Sequence, residues 1–113
     1  MPRADSLGQF EQLVLTAVLS LKDNAYGVTI HRKVEKLASP KNVTLGAIYV
    51  TLDRLEDKGL LSNRLTDPTP ERGGRAKRCY TIENAGEIAL RESMATARRM
   101  WNEVGKKWGK AWA

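Results

Sequence analysis

A chain of 113 residues with 42% hydrophobic and 28% charged side chains has enough apolar surface for one modest core and too little length for two, which excludes disordered and fibrous classes. Lysine and arginine exceed aspartate and glutamate by six, and half of that excess lies in ERGGRAKR, Glu71 to Arg78. Such a run attracts polyanions, with DNA, RNA and anionic lipid as candidates, when it is not simply a solvated loop.

The longest apolar stretch, Leu13 to Leu21, is broken by Thr16 and Ser20 and falls well short of the ~20 residues that span a bilayer. Glu11 and Gln12 stand where a leader would carry basic residues, so a cytoplasmic protein is expected. The single cysteine, Cys79, can form no internal disulfide, in keeping with a reducing compartment.

After Ser6, a candidate N-cap, Phe10, Leu13, Val14, Ala17, Val18 and Leu21 recur at helical spacing and predict a first helix ended by Lys22, Asp23 and Asn24. A second helix is expected from about Ala25 or Tyr26 to Leu37, burying Ile30, Val34 and Leu37 and stopped by Ser39 and Pro40. Gly27 near its start would permit close packing against the first helix. Thr44 caps a third helix over 45–58, with Leu45, Ile48, Tyr49, Leu52 and Leu55 inward and Gly59 as its stop. Two strands follow, Leu60 to Leu65 and Arg78 to Ile82, joined by a twelve-residue loop holding Pro68, Pro70, Gly73 and Gly74. A structureless loop that long is functional or disordered, and its charge favours function. From about Asn84 the pattern is helical nearly to the end, with Leu90, Met94, Ala97, Trp101, Val104, Trp108 and Ala111 in a heptad-like seam.

The expected fold is therefore mainly α with a small β-hairpin: a winged helix-turn-helix over residues 1–83, then a long C-terminal dimerisation helix over 84–113. In that architecture the third helix enters the major groove and the hairpin touches the flanking backbone or minor groove. With Leu45, Ile48, Leu52 and Leu55 inward, Gly46, Ala47, Val50, Thr51 and Arg54 face out. Small residues let a helix backbone approach DNA, Thr44 and Thr51 can bond phosphates or base edges, and Ala47 or Val50 can touch a thymine methyl. The bland alternative is an ordinary amphipathic helix with a weakly polar surface. Asp53, Glu56 and Asp57 crowd the C-terminal half of this helix and would repel phosphates, so the N-terminal half must insert. Affinity then comes from Lys33, Lys36, Lys41 and the wing cations Arg72, Arg75, Lys77 and Arg78.

Trp101 and Trp108 lie seven residues apart on one helical face. Each can bury ~150–250 Å², so at ~25 cal/mol per Å² leaving both in water forfeits several kcal/mol. A second copy is the expected cover, through Leu90, Met94, Ala97, Trp101, Val104 and Trp108; the alternative is that the last helix folds back on its own domain. A two-fold dimer places its recognition helices at half-sites ~34–36 Å apart and so reads a pseudo-palindrome.

Catalysis finds no support. The lone histidine, His31, falls on the polar side of the second helix, a surface residue with DNA contact as the lesser reading. Cys79 alternates with inward Tyr80 and Ile82 and so is expected outside, where a redox-sensing thiol is a minor alternative. One histidine and one cysteine supply no ordinary zinc site, and no glycine-rich phosphate loop precedes a helix. No catalytic residue, metal or cofactor is expected. Two other functions compete: a non-specific nucleoid-type or RNA-binding protein, and a winged helix used only for protein contacts.

The segments LGQFEQLVLTAVL, AYGVTIHRKVE, VTLGAIYVTLDRLEDKGLL and PERGGRAKRCYTI, followed by Ala85 and Gly86, resemble the PadR family of bacterial transcriptional regulators in order and spacing over about residues 7–90. The resemblance implies a winged-helix domain with a C-terminal dimerisation helix, operator binding as a homodimer, and usually repression. It puts the recognition helix on Thr44 to Lys58, the wing on Arg72 to Arg78, and Tyr49 and Thr51 at the family's characteristic aromatic and hydroxyl positions. It also gives the Tyr49 hydroxyl a phosphate-contacting role beside its core role. The single last helix is similar to the shorter branch of the family. Some members bind aromatic effectors between their dimer helices, which makes Trp101 and Met94 candidates for lining a pocket.

Overall fold

The structure, a computed structural model, describes residues 6–66 and 76–109. Helix α1 spans Gln9–Leu21 and buries Val14, Leu15, Ala17 and Val18. Its N-cap is Gly8 and not Ser6: the Glu11 carboxylate accepts the Gly8 N–H at 3.0 Å, satisfying a donor that the helix leaves open. A short 3-10 turn, Lys22–Asn24, leads to α2, Gly27–Ala38, where Thr29 Oγ1 accepts the Tyr26 N–H at 2.9 Å. Ile30 and Val34 are fully buried, but Leu37, expected on the same stripe, is 48% exposed because the last turn of α2 outruns the core.

Helix α3, Leu45–Asp57, starts where Thr44 Oγ1 accepts the Ala47 N–H at 3.1 Å. It ends at Gly59, whose φ of +76° is the left-handed conformation glycine adopts without strain. The Gly59 and Leu60 amides then bond the carbonyls of Glu56 and Leu55. Because Leu60 belongs to this cap, strand β1 runs Leu61–Leu65, one residue shorter than its pattern predicts.

Strand β2, Arg78–Ile82, pairs antiparallel with β1, Leu61 opposite Ile82 and Leu65 opposite Arg78. Its other edge is also occupied: Tyr26 bridges Cys79, and the Tyr80 N–H donates to the Ala25 carbonyl at 2.8 Å. β2 is thus the central strand of a three-part ladder. This corrects the expectation for Cys79, which is buried with Tyr80 and donates its thiol to the Asp23 carbonyl at 3.5 Å. Strand alternation predicts one solvated face, but here the 3-10 turn covers the second.

Helix α4 spans Asn84–Trp108. A Cβ on Gly86 would collide with the Leu60 carbonyl and the Ile82 side chain, so only glycine lets α4 cross the end of β1 this closely. Leu90 is 6% exposed and joins the core formed by Val14, Leu15, Ile30, Ile48, Leu52, Leu55 and Tyr80. The first two turns of α4 therefore pack as part of the winged domain. Architecture and element order are the expected ones, mainly α with a two-stranded wing and a long last helix. Among the described residues no helix is long and apolar enough to cross a membrane.

Two outcomes follow from this packing. Gly86→Ala meets backbone and should destabilise by about 1–3 kcal/mol in urea unfolding. Gly27→Ala should also destabilise, because the Tyr49 ring must shift off α2 to admit the Cβ. Burial pushes the Tyr80 phenol up to about 12 from an ordinary 10, with Glu56 and Asp53 adding to the rise. A raised value makes the neutral phenol the stabilised form. Stability should hold below pH 10 and fall as pH climbs toward about 12, a decline that Tyr80→Phe should flatten.

Candidate nucleic-acid interface

Periodicity allows two inward faces for α3. Leu45, Ile48, Tyr49 and Leu52 form one i, i+3, i+4, i+7 set; Ile48, Thr51, Leu52 and Leu55 form another. The structure takes the second. Thr51 is 4% exposed, whereas Leu45 and Tyr49 are 37% and 42% exposed. Thr51 therefore does not lie on the outer face where its hydroxyl was expected, and Tyr49 is not core. A threonine is small enough to enter the core, and a tyrosine is amphipathic enough to border water.

The outer surface of α3 consists of Gly46, Ala47, Tyr49, Val50, Asp53, Arg54 and Asp57, all exposed. Thr44 beside it is exposed too; its oxygen is engaged in the cap, and its O–H remains a donor. Gly27 brings the start of α2 against the Tyr49 ring, not against α1 as expected, since any Cβ there would overlap the phenol. Tyr49 thus lies in the crevice between α2 and α3, with one side of its ring in water.

Two of the charges at the C-terminal end of α3 have partners on other elements. Glu56 accepts a hydrogen bond from Asn63 Nδ2 on β1, at 2.5 Å, which turns the carboxylate toward the hairpin. Lys58, just past the helix, reaches back 2.8 Å to Glu11 on α1. Burial alone would raise the Glu11 carboxyl, but the Lys58 ammonium, the Gly8 amide and the Arg54 charge outweigh it and hold it below the usual carboxylate range. Asp53 and Asp57 keep their exposed positions.

The expected cations separate into groups. Lys77 and Arg78 are exposed at the base of the wing, and Lys77 Nζ lies 5.3 Å from the centre of the Tyr26 ring, a cation–π contact that aims it beside the start of α2. The Thr66 N–H donates to the Lys77 carbonyl at 2.7 Å and the Lys77 N–H to Thr66 Oγ1 at 3.2 Å, which closes this end of the hairpin. Arg72 and Arg75 lie outside the described residues. Lys41 is exposed in the connection before α3. Lys33 and Lys36 line an open groove with Leu21, Asn24, Thr29 and Arg32. At 100° per residue they sit far round α2 from Gly27 and His31, the side facing α3, so the structure does not bring them to the α3 surface.

Residues with structural roles around this surface went unread. Glu11 stands at N3 of α1, the place from which a carboxylate reaches back to the N-cap. His31 is not a plain surface residue: its Nε2 lies 2.6 Å from the Val43 carbonyl. Tyr26 carries Lys77, and no spacing rule signals that contact.

Along α4, Met94, Trp101 and Trp108 are 45%, 51% and 61% exposed, with Ala97 and Val104 half-buried between them. Leu90, expected at the head of this seam, is corrected: it is spent in its own domain's core. Among the described residues no group of histidine, cysteine and acidic side chains could hold a metal ion.

Residues 15–92 match the transcriptional regulator PadR-like family. A PadR family transcription regulator from hypervirulent Clostridium difficile R20291 superimposes with a TM-score of 0.68 at 23% identity, over 89% of this chain and 98% of that one. A PadR-like transcription factor from Bacteroides fragilis gives a TM-score of 0.66 at 26% identity, over 87% and 91%. The Aeropyrum pernix ORC1 protein, solved in complex with DNA, matches at a TM-score of 0.62 and 25% identity over 81% of this chain and 26% of its own. Curated proteins include no significant match to the sequence. The family match covers α2, α3, the wing and the root of α4, and the chain belongs to the PadR-like family of transcriptional regulators.

Proposed function

We propose that this regulator is a repressor that binds a pseudo-palindromic operator as a homodimer in the cytoplasm. One observation carries the reading: α3, with Gly46, Ala47 and Val50 exposed on its N-terminal half, lays Tyr49 on Gly27 at the start of α2, and Lys77 at the hairpin base lies over the adjoining Tyr26, with Arg78 exposed next to it. The small side chains admit the helix backbone to a major groove, and the wing cations supply charge for the flanking phosphates. Thr44, Gly46, Ala47, Tyr49, Val50 and Arg54 form the base- and phosphate-contacting set, with Lys41, Arg72, Arg75, Lys77 and Arg78 on the backbone. Thr51 is left out because it is buried, and Lys33 and Lys36 because they point away. Met94, Trp101 and Trp108, with Ala97 and Val104, form the face that meets the second copy. An aromatic ligand between the paired helices would touch Met94 and Trp101.

Sites selected from a random DNA pool should be two-fold symmetric and bind ~10³-fold or more tightly than random duplex. A ratio near one would favour a non-specific nucleic-acid coat instead. Changing Arg72, Arg75, Lys77 and Arg78 together to alanine should weaken both binding modes and lower the slope of log affinity against log salt by up to about four; an unchanged slope removes the wing from the interface.

Sedimentation should show a dimer at micromolar concentration. Trp101→Ala with Trp108→Ala should raise the dimer dissociation constant at least tenfold, while the single-chain fold persists by circular dichroism.

A further inference from the structure

We infer that His31 is a positioning residue for the recognition helix, an inference that builds on reading α3 as the helix that meets DNA. A carbonyl carries no proton, so the 2.6 Å contact between His31 Nε2 and the Val43 oxygen requires the ring to donate. Val43 is the residue before Thr44, the N-cap of α3, and is itself half-buried against the core. The bond therefore ties the middle of α2 to the backbone at the point where α3 begins. Among the described residues it is the one side-chain hydrogen bond from α2 to the segment leading into α3. Glu35, one turn further along α2, has its Oε2 3.6 Å from the same nitrogen.

A second fixed point lies on the same face of α2. Gly27 is four residues before His31, and the Tyr49 ring packs on it. Helix α3 is thus pinned to α2 twice, at its entry by His31 and one turn later by Tyr49. Two pins on one face define an angle, and that angle decides how Thr44, Gly46 and Ala47 are presented. The Ser39 to Asn42 connection has exposed side chains throughout, and its Lys41 N–H bonds the Ala38 carbonyl at the end of α2 without reaching α3. Loss of the His31 bond leaves the first turn of α3 held by the buried Ile48 and the Tyr49 contact, with its entry at Val43 no longer fixed by a hydrogen bond.

The test compares His31→Ala with His31→Gln, whose amide nitrogen can occupy roughly the place of Nε2. Amide hydrogen exchange of the free protein is read at Ala47 and Ile48 in the first turn of α3, with Val18 in α1 as reference. His31→Ala should speed exchange at the α3 amides by about five- to tenfold, the size of one net hydrogen bond, and leave Val18 unchanged; His31→Gln should restore it. Exchange that is unchanged, or faster by one factor everywhere, overturns the inference. On DNA, His31→Ala should lose several-fold more affinity for the selected operator than for random duplex. Equal losses on both overturn the consequence for recognition. If the local exchange effect is present but the parent protein shows no operator preference, the positioning role stands and the DNA reading falls.

Discussion

Hydrogen bonding on both edges of β2 holds the parts of this molecule in register. One edge takes β1, and the other takes Ala25 and Tyr26 just before α2. A two-stranded hairpin alone is marginal in water. Here the hairpin is fastened to the chain segment that opens the helix-turn-helix, so the wing base and the start of α2 move together. Tyr80 and Cys79 seal the two faces of the strand, and Lys77 is drawn over Tyr26 by the same adjacency.

Helix α3 has two faces of different character. Ile48, Thr51, Leu52 and Leu55 turn into the body of the domain, and the opposite side stays exposed. Charges at the C-terminal end of the helix are held from outside it: Asn63 turns Glu56 toward the hairpin, and Glu11 binds Lys58. What stays outward at the N-terminal half carries no charge, and between the half-exposed Leu45 and Tyr49 it is small-sided at Gly46 and Ala47.

Much of this was legible in the residues. The heptad and 3.6-residue patterns located all four helices, and Thr44 and Gly59 marked the ends of α3, because caps are local chemistry. The face of α3 was misread because two apolar sets fit one period equally well, and only the neighbouring helices choose between them. Cys79 was misplaced for a related reason: alternation reports one sheet face, and it says nothing of a turn folded over the other. Leu90 continues the seam of α4 without a break, so nothing in the spacing tells where the helix leaves its own domain. His31 was missed as a tether because its partner is a backbone carbonyl, and carbonyls leave no mark on sequence.

The root of α4 has a mechanical meaning. Gly86 lies against the Leu60 carbonyl, and Leu90 is embedded among side chains of the helical body. The helix cannot swivel at its base without opening that core. Trp108 lies about five turns further on, some 27 Å at 1.5 Å per residue. A rod clamped at one end turns a small tilt into a large arc at its tip. The axis of α4 is therefore a pointer soldered to the DNA-reading body, and whatever grips its far end also sets the heading of α3.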